Sequence, residues 1–175
     1  MRLFIGIPIP EDISDEIANQ VENIHDRCRG NYTDPDLYHV TLAFIGETAP
    51  VMVPQIRKVI ENAVHGRERF SLKLSNLGFF GKDESAILWW GMERSQRLES
   101  LAACIAAKLD DMAVPYDHKP FRAHLTLGRK INLKGMPVGD IVVPRLSFEV
   151  DNIVLFESLR LDGELNYRPI ETVSL

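Results

Sequence analysis

His39-Val40-Thr41-Leu42 and His124-Leu125-Thr126-Leu127 write one pattern, His-x-Thr-Leu, twice in a single chain. Side chains of an extended strand alternate between its two faces. Each copy therefore sets an imidazole and a hydroxyl on one face and two apolar residues on the other. If the apolar pairs enter a core, two imidazoles and two hydroxyls are left to line a polar cleft. Chance placement gives roughly 0.02 copies of the pattern per chain of this composition, and two copies in about one chain in ten thousand. A lone copy reads most simply as a structural histidine in an apolar strand; the repetition reverses that reading.

Working outward from the first copy, residues 2–8 are apolar and β-prone and stop at Pro8 and Pro10, which predicts an opening, central strand. Ile13, Ile17, Val21 and Ile24 then recur at helical spacing, with Pro10, Glu11 and Asp12 suited to the first turn. Residues 27–36, with Gly30, Asn31, Asp34 and Pro35, read as a loop leading into a motif strand over about residues 37–45, closed by Gly46. Thr48 offers a cap for a second helix carrying Val51, Ile56, Val59, Ile60 and Ala63. Phe70, Leu72 and Leu74 alternate as a strand, Asn76 to Glu84 read as turn residues, and residues 86–90 form the hairpin partner, with Trp89 and Trp90 on opposite faces.

Around the second copy, Ser95 precedes a helix whose stripe is Leu98, Leu101, Ala102, Ile105, Leu109 and Met112. Pro115 to Pro120 turn into a motif strand over about residues 121–129. Residues 132–140 carry Gly135, Pro137 and Gly139 and are the best candidate for a mobile loop. A late strand over 146–156 and a final one over 167–173 flank the turn Asp162-Gly163. This order lacks the strand and helix alternation of a doubly wound fold, and no glycine-rich phosphate loop follows the first strand. The expected class is α+β with largely antiparallel pairing. The motifs lie close to half the chain apart and each has a helix nearby, the mark of a weak internal duplication with one motif per lobe.

At 175 residues the chain suits one domain, or two small lobes sharing a core. Its 45% hydrophobic and 26% charged residues are those of an ordinary soluble protein. No apolar run is long enough to cross a bilayer and the opening apolar stretch is too short for a signal peptide, so the cytoplasm is the expected home. The cysteines, Cys28 and Cys104, lack metal-ligand spacing and a disulfide framework. A net charge of -5 has the wrong sign for a protein that tracks along a long nucleic acid, so any contact with RNA is expected to be local.

Paired imidazoles are natural equipment for concerted acid and base catalysis, because only His titrates near neutrality without perturbation. One takes a proton from water and the other gives one to a leaving oxygen, each transfer being worth about 10² to 10⁴ in rate. The Thr41 and Thr126 hydroxyls can donate to anionic oxygens as charge builds. Two acid-base groups with donors around a tetrahedral anion fit a phosphodiester. No Asp-rich cluster accompanies the motifs, so no metal and no cofactor are expected.

His39-Val40-Thr41-Leu42-Ala43-Phe44-Ile45-Gly46-Glu47 and Phe121-Arg122-Ala123-His124-Leu125-Thr126-Leu127-Gly128-Arg129 resemble the paired signatures of the 2H phosphoesterase superfamily. More narrowly, the chain resembles the RNA 2',3'-cyclic phosphodiesterases of bacteria and archaea, historically called 2'-5' RNA ligases. The likeness runs over nearly the whole of residues 1–175, including the opening Arg2-Leu3-Phe4-Ile5 and the late 155–167 region. It implies one 2H phosphoesterase domain of two pseudo-symmetric lobes with mainly antiparallel sheets, outer helices and a central cleft carrying one motif from each lobe.

By the same resemblance His39 is the proton donor to the leaving ribose oxygen and His124 the proton acceptor that activates water. A 2',3'-cyclic phosphate opens to a 2'-phosphomonoester without a metal. Thr41 and Thr126 hold the phosphate, Phe44 stacks on a base and Arg129 reaches the phosphate or an adjoining group. Implied partners are RNA 3' ends or small nucleotides with a cyclic phosphate, with no membrane, acted on by a monomer. The alternatives are 2'-5' RNA ligase or 2'-5' phosphodiesterase activity, or a nucleotide-binding module without turnover. Ala123 stands where the family usually has Pro, which leaves the entry to the second motif less rigid. His25, His65 and His118 have no motif partner and read as surface or structural residues, His118 being the one expected nearest the cleft. Arg122 alternates with His124 and either shares its face or is a plain solvated charge.

Overall fold

A computed structural model describes all residues, Met1–Leu175. The opening apolar run forms β1, Arg2–Pro8, and Ile17, Val21 and Ile24 bury the inner stripe of helix α1, Glu11–His25. The loop expected over 27–36 contains a two-residue strand β2, Asn31–Tyr32, and a 3-10 turn, Pro35–Leu37, before the first motif strand β3, His39–Glu47. Gly46 lies within β3 at φ +84 rather than beyond its end. Thr48 caps no helix, because its hydroxyl donates to the Gly46 carbonyl. A 3-10 turn, Pro50–Met52, takes up Val51, and helix α2 runs Val53–Val64.

The residues expected to turn after position 76 instead continue the strand, so that β4 spans Phe70–Phe80. A shift of register between Leu74 and Leu77 absorbs Ser75 and Asn76 without breaking the pairing with β5, Ala86–Met92. Trp90 is fully buried and its Nε1–H donates to the Ser75 carbonyl at 2.9 Å, while Trp89 lies half-covered on the other face. Ser95 caps helix α3, Gln96–Asp111, its Oγ accepting from Leu98 N at 3.2 Å. The second motif strand, β6, runs His124–Ile131, later at both ends than expected. Leu133 and Val138 anchor the following loop by burial. The late strand divides into β7, Ser147–Val150, and β8, Asn152–Leu161, because the two halves pair with different partners; β9 is Glu164–Ser174.

Every pairing is antiparallel, and the strands follow the order β7-β4-β5-β6-β3-β1-β8-β9, with β2 added to β6. The order is a near-palindrome. On one side, β1, α1 and β3 form a strand, helix and antiparallel neighbour ending in the first motif. On the other, β5, α3 and β6 do the same for the second. The two motif strands meet at the centre through one backbone pair, Val40 with Leu125.

A cluster of 39 buried residues runs through both halves and includes Val40, Leu42, Leu125 and Leu127 together with the inner stripes of all three helices. The helices therefore cover the apolar face of the central strands and leave the His and Thr face free. No helix is long and apolar enough to cross a membrane. Leu125 is fully buried at the midline, and replacing it by Ala should lower the free energy of unfolding by about 2 to 5 kcal/mol in urea titrations. Val142→Ala, at a position 94% exposed, should stay within about 0.5 kcal/mol, and equal losses at the two positions would contradict the assigned core.

Candidate active site

Pairing of Val40 with Leu125 decides which side chains meet. One step away from that pair along antiparallel strands, His39 stands across from Thr126 and Thr41 across from His124, all on the face away from the core. Both motifs then share a second device. Burial in β3 runs half-buried, buried, half-buried, buried, buried, half-buried from His39 to Phe44, so Leu42 and Ala43 are both inward. Their inward pairing matches a register shift against β1, where Ile5 pairs with Ala43 and Gly6 with Thr41, so that Leu42 is bulged. In β6 the same break falls at Leu127, with Leu88 paired to Gly128 and Trp89 to Thr126. The extra residue returns Phe44 and Arg129, each five positions after its histidine, to the cleft face. Strict alternation would have turned both inward.

Each imidazole is held in the same way. The Nδ1–H of His39 donates to the Leu37 carbonyl at 2.8 Å and that of His124 to the Arg122 carbonyl at 2.6 Å. A carbonyl can only accept, so Nδ1 carries hydrogen in both rings and Nε2 is the working atom. His39 Nε2 lies 2.9 Å from Thr41 Oγ1. Gly6 of β1 lets this ring sit close, since a Cβ there would stand 3.0 Å from the Val40 carbonyl oxygen and 3.6 Å from the His39 ring.

Aromatic rings that the sequence did not single out enclose the two histidines. His39 packs on Phe4 with centroids 4.7 Å apart, meets Tyr167 edge-on at 5.1 Å and has Phe156 beyond at 6.4 Å. His124 meets Phe80 edge-on at 5.1 Å, and the Arg122 guanidinium lies 5.7 Å from the Phe80 centroid. These residues come from β1, β8, β9 and β4, and no local pattern announces them because their role depends on which strands pair. Phe44 is half-buried with the Arg2 guanidinium 4.9 Å from its ring centroid. His25 packs instead on Tyr32 and His118 on Tyr116.

Burial lowers the pKa of His39 from the ordinary 6.5, the Leu37 hydrogen bond partly opposes this, and the charges of His124 and Arg129 lower it further. Burial lowers His124 too, opposed by the bond to the Arg122 carbonyl and reinforced by Arg129 and Arg122. Burial raises the Tyr167 phenol while Arg129 and Arg2 pull it back. Arg129 thus acts on both imidazoles and on the phenol. The charged groups among these causes are cationic side chains, and no carboxylate is among them. A cleft of this kind attracts an anion although the chain as a whole is negative. No group of three or more His, Cys, Asp or Glu side chains is arranged so that it could hold a metal ion.

An antiparallel sheet of two mirrored halves, with one His-x-Thr pair from each half joined at the midline, defines the class of two-histidine phosphoesterase folds. The family model of the 2'-5' RNA ligase superfamily matches residues 13–162, and the chain belongs to that superfamily. It is 26% identical over 166 residues to the RNA 2',3'-cyclic phosphodiesterase of Thermotoga maritima, covering 90% of this chain and 87% of that protein. The enzyme of the same name from Escherichia coli is 26% identical over 182 residues, covering 99% and 96%. Among solved structures, Escherichia coli LigT complexed with 3'-AMP superposes with a TM-score of 0.82 at 23% identity, covering 99% of this chain and 97% of that one. TT0787 of Thermus thermophilus also gives 0.82 at 23% identity, covering 100% and 98%.

Because both imidazoles are lowered from the ordinary 6.5, the neutral form of each is favoured in the free protein. Histidine NMR titrations should show both midpoints on the acid side of that value, with the neutral ring bearing hydrogen on Nδ1. Adding inorganic phosphate should move both midpoints upward, since an anion between the rings favours their charged forms. A phosphate effect on one ring alone would contradict a shared anion site.

Proposed function

We propose that the protein hydrolyses RNA or nucleotide 2',3'-cyclic phosphate ends to 2'-phosphomonoesters, with His39 and His124 as the acid and base. The carrying observation is the crossing of the two His-x-Thr pairs at Val40 and Leu125, each imidazole fixed through Nδ1, with Nε2 of His39 beside the Thr41 hydroxyl. The named activity of the relatives supports the same substrate class.

Opening a cyclic phosphodiester in line requires a base on one side of phosphorus and an acid on the other. Nε2 of His124 takes a proton from water as its oxygen bonds to phosphorus. The bond from phosphorus to the ribose 3' oxygen breaks, and Nε2–H of His39 delivers a proton to that oxygen. Exchange with solvent then restores both rings. The direction is the one the family resemblance implies; His39 is the more enclosed ring, among Phe4, Phe156 and Tyr167, whereas His124 has one aromatic neighbour and lies nearer water. His39 is neutral in the free protein, and the arriving anion supplies the stabilisation that lets it carry a proton.

Thr41, Thr126 and Arg129 serve the two non-bridging oxygens, where hydroxyl and guanidinium donors offset charge that grows at the transition state. Phe44, partly open beside Arg2, takes the terminal base by stacking. The proposed partners are RNA 3' ends or small nucleotides bearing a cyclic phosphate, acted on by a monomer formed as one domain.

Turnover of 2',3'-cyclic AMP in the presence of EDTA tests this reading. His39→Ala and His124→Ala should each lower kcat by about 10² to 10⁴. The wild-type kcat/KM should be bell-shaped in pH, falling at low pH as His124 is protonated and at high pH as His39 loses its proton. Since both values are lowered, its maximum should lie below 6.5, with the kcat maximum shifted to higher pH by bound anion. A requirement for added divalent metal, wild-type rates in either variant, or faster turnover of a 2'-5'-linked dinucleotide would overturn the assignment.

A further inference from the structure

Strand β6 does not end at the cleft. Beyond Arg129 it leads through Lys130 and Ile131 to Asn132, and along it lies the antiparallel segment Arg29–Tyr32, entered from the turn at Arg27 and Cys28 that ends α1. Asn31 pairs with Arg129 and Tyr32 with Gly128, while Asn132 N donates to the Arg29 carbonyl at 2.8 Å. Gly30 permits this close approach, because a Cβ there would stand 2.6 Å from the Ile131 Cα and 2.8 Å from the Lys130 carbonyl oxygen. Where the two segments part, they open a hollow of about 490 Å³ lined by Arg27, Cys28, Arg29, Asn132, Lys134, Gly135 and Met136. Three of those seven residues are cations and none is an acid.

The placing of charges sharpens the point. Seven cations elsewhere, Arg57, Arg69, Arg94, Lys108, Lys119, Arg145 and Arg168, have a carboxylate within ion-pair distance, while others such as Lys58, Lys73 and Arg160 do not. What marks this region is thus the gathering of its cations rather than their lack of partners. Arg129, Lys130, Arg27, Arg29 and Lys134 have none, although Asp26, Asp83 and Glu84 stand on adjoining elements. In a chain with net charge -5, cations that follow one another from Arg129 and Lys130 of β6 to Arg27, Arg29 and Lys134 at the hollow beyond its end make a local patch for a polyanion. The eight steps from His124 to Asn132 span at most about 26 Å, shortened by the bulge at Leu127 and by Lys130 at φ +53.

We propose that the hollow formed by Arg27, Arg29 and Lys134 is a phosphate-binding subsite for the RNA backbone upstream of the reacting end, so that the preferred substrate is an oligoribonucleotide rather than a mononucleotide. This rests on the cyclic phosphodiesterase reading of the cleft. The terminal cyclic phosphate sits between the histidines, the chain runs out past Arg129 along β6, and earlier phosphates meet the three cations. Nothing in this contact reads base sequence, since it consists of point charges and forks aimed at phosphate oxygens.

The test compares kcat/KM for a decaribonucleotide ending in 2',3'-cyclic phosphate with that for 2',3'-cyclic AMP, in the wild type and in a variant carrying Arg27→Gln, Arg29→Gln and Lys134→Gln. The wild-type ratio of decamer to mononucleotide should be about tenfold or more, and the triple variant should bring it toward one. The salt dependence of decamer kcat/KM should become shallower by about 2 in log-log slope. Lys134→Glu, a single change in an exposed turn, should lower the ratio in the same direction and guards against a folding defect in the triple variant. A wild-type ratio near one, or a ratio and slope unchanged in the variants, would overturn the subsite. Should neither substrate turn over, the reading of the cleft fails instead. Fluorescence anisotropy with the labelled decamer bearing a plain 3' hydroxyl then decides the subsite separately: weaker binding by the variants supports it and equal binding overturns it.

Discussion

One backbone pairing, Val40 with Leu125, sets the geometry on which the site depends. It is the point where two strand-helix-strand halves join, and it lies between the histidine and the threonine of each motif. Antiparallel register then brings four polar side chains onto one face with no further instruction. The same register drives Val40, Leu42, Leu125 and Leu127 into the shared core, so the apolar burial that stabilises the fold also aims the imidazoles. A slip of one residue at this pair would turn the histidines into the core and expose the leucines, which is why position and stability are inseparable here.

Electrostatics complete what register begins. The chain is acidic overall, yet besides burial the charges that lower the two imidazoles are Arg129 for both, Arg122 for His124 and His124 for His39. Burial and neighbouring cations favour the neutral form of both rings, and an anion between them favours the charged form, the condition that the proposed acid role requires. The aromatic walls of Phe4, Phe156 and Tyr167 around one ring and Phe80 beside the other limit water near Nε2 and make the two histidines unlike despite their mirrored backbones.

Much of this was legible in the residues. Repetition of His-x-Thr-Leu announced two equivalent strands, and helical spacing located all three helices because their stripes pack on the core. What escaped depends on pairing between distant strands. The bulges at Leu42 and Leu127, which return Phe44 and Arg129 to the cleft, arise against β1 and β5 and leave no local mark beyond adjacent inward residues. Residues 76–80 looked like a turn because Asn and Gly favour turns, but cross-strand contacts with β5 outweigh that preference. Phe80 falls in the stretch expected to turn and Tyr167 opens the expected final strand, and only the sheet order carries them to the histidines. The break between β7 and β8 likewise follows from pairing with opposite ends of the sheet.

The central claim is that imidazoles from the two halves act on a single phosphorus atom. A crystal structure with a bound 2'-phosphomononucleotide tests it most directly. The account requires Nε2 of His39 and Nε2 of His124 both within hydrogen-bond reach of oxygens on one phosphate, about 2.6 to 3.2 Å, with the Thr41 and Thr126 hydroxyls on the same group. A phosphate held by one histidine alone, or seated away from the Val40 and Leu125 crossing, would contradict it.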